Sequence, residues 1–218
     1  MRPFPRFDWS LELSPSPQTP GLLLSPPFDR REFSRNWNIR ARSTLTFCRM
    51  PIPVTRTYLQ LADPNELSRE GLPAIPGAAV SRHDPVPPAL FRKLYRQVGD
   101  AYRWHDRSAW TDGQIVTRFA GDRVSLWELT LHGERAGFYE LERHDDGSIE
   151  IVLFGLLPAF AGRGLGKWLL VEAVERAWAL GATRVWLHTC TLDSPAALPN
   201  YRARGFRPFR IEHYEVAG

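Results

Sequence analysis

Cysteine and methionine are scarce in this chain, with two of each in 218 residues. Cys48 and Cys190 cannot form a disulfide framework, so the chain is expected in a reducing compartment, the cytoplasm. Long apolar runs are missing as well: no stretch approaches the roughly eighteen consecutive apolar residues of a membrane span. Leu22-Leu23-Leu24 is too short and too poorly flanked to be the core of a signal peptide. Excess charge is also absent from most of the chain. The formal charge is +4 and the sequence pI about 9.4, but residues 1–49 hold eight Arg against four acidic residues, and residues 50–218 hold twenty basic and twenty acidic. The part able to fold is formally neutral, and no nucleic-acid face is expected on it.

The surplus sits in a segment of unusual composition. Seven prolines fall between Pro3 and Pro27, and arginines recur from Arg30 to Arg49 with little hydrophobic periodicity. That is the composition of an extended or disordered stretch. The expected organisation is therefore a Pro/Arg-rich extension over 1–49 and one domain over 50–218. Translation starting at Met50 would account for the change of character; a basic tail that contacts a polyanion is the rival reading.

What remains has a hydrophobic content, 43% over the chain, ample for a core. Val54 to Leu61 alternates as a strand does, and a Pro/Gly-rich connection follows as far as Pro88. Pro88 opens a helix whose Leu90, Phe91, Leu94, Tyr95 and Val98 share a face, ending at Gly99. A short helix is predicted from Asp112 to Phe119, capped by Thr111 or Asp112. Three strands, Arg123–Leu131, Ala136–Arg143 and Ser148–Leu157, are separated by the turns His132-Gly133-Glu134 and Asp145-Asp146-Gly147, which gives an antiparallel meander. A helix from about Gly164 to Leu180, a strand Arg184–Thr189, a helix Pro195–Arg204 and a strand Phe206–Val216 complete an α/β layout with a mixed sheet.

Between the third meander strand and the long helix lies Ala161-Gly162-Arg163-Gly164-Leu165-Gly166-Lys167. A strand feeding alternating glycines into a helix holds a phosphate, because the backbone can approach an anion and the helix's first free N–H groups point at it. A nucleotide P-loop is excluded: Trp168 stands where a magnesium-binding hydroxyl would follow Gly166-Lys167. The dinucleotide fingerprint fails too, since its last glycine would fall at Lys167. The segment resembles the acetyl-CoA pyrophosphate loop of the GNAT N-acetyltransferase family, with Ala161 in place of the usual Gln or Arg. The stretch Leu192 to Phe206 resembles the ending of the same family, where a polar residue closes a strand, a small helix carries a Tyr and a Gly-Phe turn enters the last strand; Asp193 here replaces the more usual Asn. The resemblance covers about Val54 to Val216.

It implies a GNAT fold, a mixed and mostly antiparallel central sheet flanked by helices. It also implies acetyl transfer from acetyl-CoA to a primary amine, of a small molecule or a peptide, by direct attack and without a metal. Ala161, Gly162, Arg163, Gly164, Leu165, Gly166 and Lys167 would cradle the pyrophosphate, joined by Asp193 and Asn200. Phe154, Gly155 and Leu156 would offer main chain to the pantetheine where their strand parts from the next, and Gly155 is compatible with a bulge there. Tyr201 would protonate the departing thiolate. Glu150 shares a face with Val152, Phe154 and Leu156 by period two, and a carboxylate among apolar neighbours is costly unless used or paired. By resemblance it would be the general base, against the alternative of a structural pair with an Arg. Glu140 is the reserve base and His188 a third. Trp104, Arg107 and Glu140 are candidates for an acceptor pocket able to grip an amine that bears a carboxylate. A homodimer through the C-terminal strands is the partner arrangement the resemblance suggests, and a non-catalytic CoA-binding or interaction domain is the alternative function. The polyanion reading of the tail makes its own prediction: deleting residues 1–49 abolishes retention on heparin, and unchanged retention would place the basic surface elsewhere.

Overall fold

The computed structural model describes residues 50–217. The Pro/Arg-rich extension and Cys48 lie outside the described residues. Seven strands and four α-helices follow in the order β1 (Ile52–Leu61), β2 (Ala78–His83), α1 (Pro88–Gly99), α2 (Asp112–Arg118), β3 (Val124–Leu131), β4 (Glu134–Arg143), β5 (Ile149–Leu156), α3 (Leu165–Ala179), β6 (Val185–Cys190), α4 (Ala197–Ala203) and β7 (Arg207–Val216). They form one sheet in the order β2-β3-β4-β5-β6-β1-β7. Only β5 and β6 run parallel; the other pairings are antiparallel. Among the described residues no helix is long and apolar enough to cross a membrane.

The helices form where side-chain periodicity and caps agree. In α1 the apolar residues at i, i+3, i+4 and i+7, namely Phe91, Leu94, Tyr95 and Val98, are all buried, and Pro88 occupies the first turn where its missing N–H costs nothing. Thr111 caps α2 through a reciprocal pair with Gln114. Two apolar layers result. Leu59, Leu61, Leu141, Ile151, Leu169, Leu170, Val174, Leu187 and Phe206 pack with α3 and α4 on one face of the sheet. Phe91, Leu94, Ile115, Leu126, Phe138 and Leu153 pack with α1 and α2 on the other. A polar anchor runs through the first layer, where the hydroxyl of fully buried Tyr139 donates to Glu172 of α3, and Glu172 also accepts from Arg176 at 2.9 Å. Arg176 in turn lies over the Trp127 ring, 4.6 Å from its centroid.

One element departs from the sequence reading. β2 lies inside the stretch expected to be connection; it is a sheet-edge strand whose Ala78-Ala79-Val80-Ser81-Arg82-His83 is at most half-buried, so it carries no apolar alternation to be read. β1 sits between β6 and β7, where Leu59 and Leu61 enter the α3 layer. The Gly-Phe turn into β7 is tightly fitted. Gly205 has φ +97°, and a Cβ there would lie 2.0 Å from the carbonyl oxygen of Glu66. Gly205→Ala is therefore expected to destabilise the domain by about 2–4 kcal/mol, measured as a lower urea midpoint at unchanged slope.

Candidate active site

The glycine segment begins where β5 ends. After a turn at Pro158–Phe160 the chain passes through Gly162 at φ +76° and Gly164 at φ +80°, and Gly164 is the N-cap of α3. These left-handed positions suit glycine alone, and a Cβ on Gly164 would also come within 2.9 Å of Pro73. The first α3 amide to find an acceptor is that of Lys167, bonded to the Gly164 carbonyl at 3.1 Å. The five preceding N–H groups, from Gly162 to Gly166, have no protein acceptor among the described residues. Ala161, Gly162, Arg163 and Lys167 are exposed, and Arg163 lies over the Phe160 ring. A run of free donors at a helix N-terminus suits a pyrophosphate, and it needs no side chain from Ala161. Asn200 of α4 donates to the carbonyl of Gly166 at 3.3 Å, tying the two helices together beside the loop, while its own Oδ1 is buried without a partner among the described residues.

β5 and β6 pair only from Ile149 to Ile151 against Val185 to Leu187. Both strands continue, β5 to Leu156 and β6 to Cys190, but apart. On its other side β5 stays in register with β4 through Phe154, Gly155 and Leu156. The main-chain groups of that segment that point away from β4 consequently face a gap. The strand also carries a bulge, at Val152 rather than Gly155: Ile151 is opposite Leu141 and Leu153 opposite Glu140, leaving Val152 as the extra residue. The bulge corrects the shared face expected for Glu150, Val152, Phe154 and Leu156. Glu150 and Val152 point to the α1 and α2 side, whereas Phe154 and Leu156 pack into the α3 layer. Gly155 lies under α1, where a Cβ would meet Val98 at 2.3 Å.

The switch of face places Phe154 against Tyr201, with ring centroids 6.3 Å apart. Tyr201 is buried, and burial first and the charge of Asp193 second push its phenol well above the usual range. Its hydroxyl has no hydrogen-bond partner among the described residues, although Phe206 packs on its ring. Asp193 closes β6, accepting from the Thr189 hydroxyl at 2.7 Å and the Cys190 amide at 2.8 Å. Its carboxylate is thus occupied in the turn that follows the strand.

Glu150 is 8% exposed, opposite Glu142 in the β4 ladder. His144 Nε2 lies 3.2 Å from one of its oxygens and His188 Nε2 3.8 Å from the other. Burial, then the charge of Glu142, push its carboxyl up to about 7, against the pull of Arg118 and Arg107. His188 is held below its ordinary range by burial and then by the Arg56 charge. Glu142 moves the other way: burial would raise it, but the hydrogen bond and charge of Arg118, with His144 and Arg123, hold it low. Glu142, His144 and Glu150 bring one donor atom each within 4.8 Å of one another, and Arg118 already holds Glu142 at 2.6 Å, so the trio reads as part of an ion-pair network.

The pocket expected from Trp104, Arg107 and Glu140 does not form. Glu140 is wholly buried, with Arg107 at 2.7 Å on one oxygen and Arg118 Nε at 3.0 Å on the other, which leaves it no access to an amine. Arg107 is held by that pair and by the face of Trp110, 4.8 Å away. Trp104 packs on Tyr95 and Phe138. His144 is the neighbour of Glu150 that sequence reasoning passed over; its signal was the tight turn Asp145-Asp146-Gly147, which folds His144 back beside Glu150 through the bond from its amide to the Ser148 carbonyl.

A family model described as the acetyltransferase (GNAT) family matches residues 89–206. A mycothiol acetyltransferase of Mycobacteroides abscessus is 33% identical over 121 residues, 52% of this chain and 40% of that protein. One of Corynebacterium efficiens is 32% identical over 121 residues, with the same shares of 52% and 40%. The chain thus spans well under two thirds of the length of these relatives. Among solved structures, a GCN5-related N-acetyltransferase from Sphaerobacter thermophilus superposes with a TM-score of 0.57 at 15% identity, covering 77% of this chain and 54% of that one. Another from Kribbella flavida gives 0.54 at 22% identity, covering 75% and 58%. These likenesses share the fold, and nothing among them favours a non-catalytic role.

Glu150 makes a stability prediction of definite sign. Its folded pKa of about 7 lies above the ordinary 4.5, so the native state binds the proton more tightly and loses stability relative to the unfolded state as pH rises between those values. Glu150→Gln should stabilise the domain at pH 8 by on the order of 2–3 kcal/mol and have little effect at pH 4, measured by urea denaturation at both.

Proposed function

This chain belongs to the acetyltransferase (GNAT) family, and from that premise we propose that it transfers an acetyl group from acetyl-CoA to the primary amine of a small molecule by direct attack, in the cytoplasm. The observation that carries this reading is the run of free N–H groups from Gly162 to Gly166 at the mouth of the gap between β5 and β6. The relatives named for mycothiol favour a small-molecule acceptor over a peptide.

In this reading the amides of Gly162 to Gly166 hold the pyrophosphate, and Arg163 and Lys167, exposed beside them, add positive charge. The main chain of Phe154 to Leu156 hydrogen-bonds the pantetheine as a neighbouring strand would, and an N–H there polarises the thioester carbonyl. Asp193 and Asn200 support this site from outside, one by shaping the end of β6 and the other by bracing the first turn of α3. Glu150 takes the proton from the acceptor ammonium. A carboxyl with a pKa near 7 suits this task, being largely ionised at physiological pH yet basic enough to accept a proton. His144 and His188 flank it, both half-buried, and His144, the nearer of the two at 3.2 Å, offers the proton an exit. Tyr201 keeps its proton at neutral pH and delivers it to the thiolate as the C–S bond breaks. A homodimer through β7, the edge strand, is part of the same proposal, and a single monomer mass in solution would remove it.

Thiol release with acetyl-CoA and a panel of amines tests the assignment. For the wild type, kcat/KM should rise with pH through a pKa of about 7. Glu150→Gln should lower kcat by about 10²–10⁴-fold and remove that limb, and Tyr201→Phe should lower kcat by about 10²-fold without weakening acetyl-CoA binding. Wild-type rates in Glu150→Gln would dismiss it as the base.

A further inference from the structure

The face of the sheet that carries Glu150 is roofed by α1 and α2 over β3, β4 and β5. Over β6, β1 and β7 the same face carries a continuous layer of aromatic rings that are half-buried or exposed. Tyr58 of β1 lies 6.4 Å from Trp186, 5.6 Å from His188 and 6.1 Å from Phe209 between ring centroids, and Trp186 lies 6.5 Å from Phe209. Phe209 is 43% exposed, a large apolar side chain held in water by the register shift of β7 between Tyr58 and Leu59. The layer begins at Glu150, which is opposite Trp186 in the parallel ladder and within 3.8 Å of His188.

The charges around this shelf are unequally matched. Arg210 pairs with Glu212, and Arg184 pairs with Asp146 while lying over Phe209. Arg56 has no carboxylate partner among the described residues: its only side-chain bond is to the Tyr214 hydroxyl at 3.2 Å, and its Nε is buried and unpartnered. The carboxylate opposite it in the ladder, Glu212, is taken up by the Tyr58 hydroxyl at 2.7 Å and by Arg210. Arg56 follows the same face as Tyr58 by period two, so a carboxylate at one end of the shelf and, at the other, a guanidinium with no carboxylate within ion-pair distance among the described residues bracket a cluster of rings set edge to face, with Arg210 over Tyr58.

We propose that this shelf is the acceptor platform and that the acceptor is a primary amine on a flat ring that also bears a carboxylate. The ring packs against exposed Phe209 and the neighbouring Trp186, which stand edge to face, the ammonium meets Glu150, and the carboxylate pairs with Arg56. The inference rests on the acetyl-transfer reading for the role of Glu150. It supplies from β1 the guanidinium that Arg107, bound to Glu140, cannot provide.

Thiol release by the full chain tests the platform with three classes of acceptor. The first is carboxylated ring amines, 4-(aminomethyl)benzoate and 3-(aminomethyl)benzoate, which place the carboxylate across the ring from the amine. The others are their counterpart without the carboxylate, benzylamine, and the ringless putrescine. The wild type is expected to favour a member of the first class by about tenfold or more in kcat/KM. Arg56→Gln should raise the KM of that acceptor about tenfold, leave its kcat and the KM of acetyl-CoA unchanged, and bring it level with the decarboxylated amine. Phe209→Ala, at an exposed position, should raise the KM of both ring classes and leave that of putrescine unchanged. Preference for putrescine, or an unchanged acceptor KM in Arg56→Gln, overturns the proposal. Absence of turnover on every amine defeats the acetyl-transfer reading instead. Calorimetric titration of the CoA-saturated protein with the same carboxylated ring amines then decides the platform: binding weakened about tenfold by Arg56→Gln supports it, and no binding to the wild type overturns it.

Discussion

The parting of β5 from β6 is the constraint on which the rest of the site depends. Two parallel strands that pair over Ile149 to Ile151 and then diverge leave N–H and C=O groups without partners inside a sheet, which a fold tolerates only where another chain or a ligand completes the ladder. Each neighbouring element keeps the gap open. Register with β4 holds the outer half of β5 on one side, the bulge at Val152 turns Phe154 and Leu156 into the α3 layer, and β1 pairs along the whole of β6 so that it cannot swing back. The glycines then place the N-terminus of α3, with its free amides, at the open end.

Burial sets the chemistry at the base of the same gap. Glu140, Glu142 and Glu150 lie on one face of adjacent strands, and the arrangement survives because arginines neutralise two of them. Glu140 is clamped twice and Glu142 is held by Arg118, so both serve the structure. Among the described residues Glu150 receives no guanidinium within ion-pair distance and has imidazoles instead, and its carboxyl is raised by burial and by the charge of Glu142. Glu142 and Glu150, opposite one another in the ladder, thus shift in opposite directions because of their neighbours alone, which is what makes Glu150 the candidate base.

Much of this was legible in the chain. The alternating glycines between an apolar strand and an amphipathic helix specified the loop, and Gly205-Phe206 after Tyr201 specified the ending, because backbone conformation leaves its mark on residue choice. The meander was readable from its turns. The rest depended on pairing at a distance. No local pattern announces that β1 joins the far half of the sheet, or that Ala78 to His83 is an edge strand, since an edge strand needs little apolar surface. The bulge at Val152 defeats period-two counting beyond it, so Glu150 and Val152 share a face while Phe154 and Leu156 turn to the other. Arg107 and Glu140 looked like substrate ligands because a sequence shows charges and not their partners; the structure pairs them with each other.

Backbone amide NMR of the full chain titrated with CoA measures the central claim most directly, because the claim concerns N–H groups more than side chains. The account predicts that the amides of Gly162 to Gly166 and the β5 amides turned toward the gap between Val152 and Leu156 shift together on saturation, while those of β2 and β3 stay in place. Saturable binding of CoA that leaves the Gly162 to Gly166 amides unmoved would contradict it.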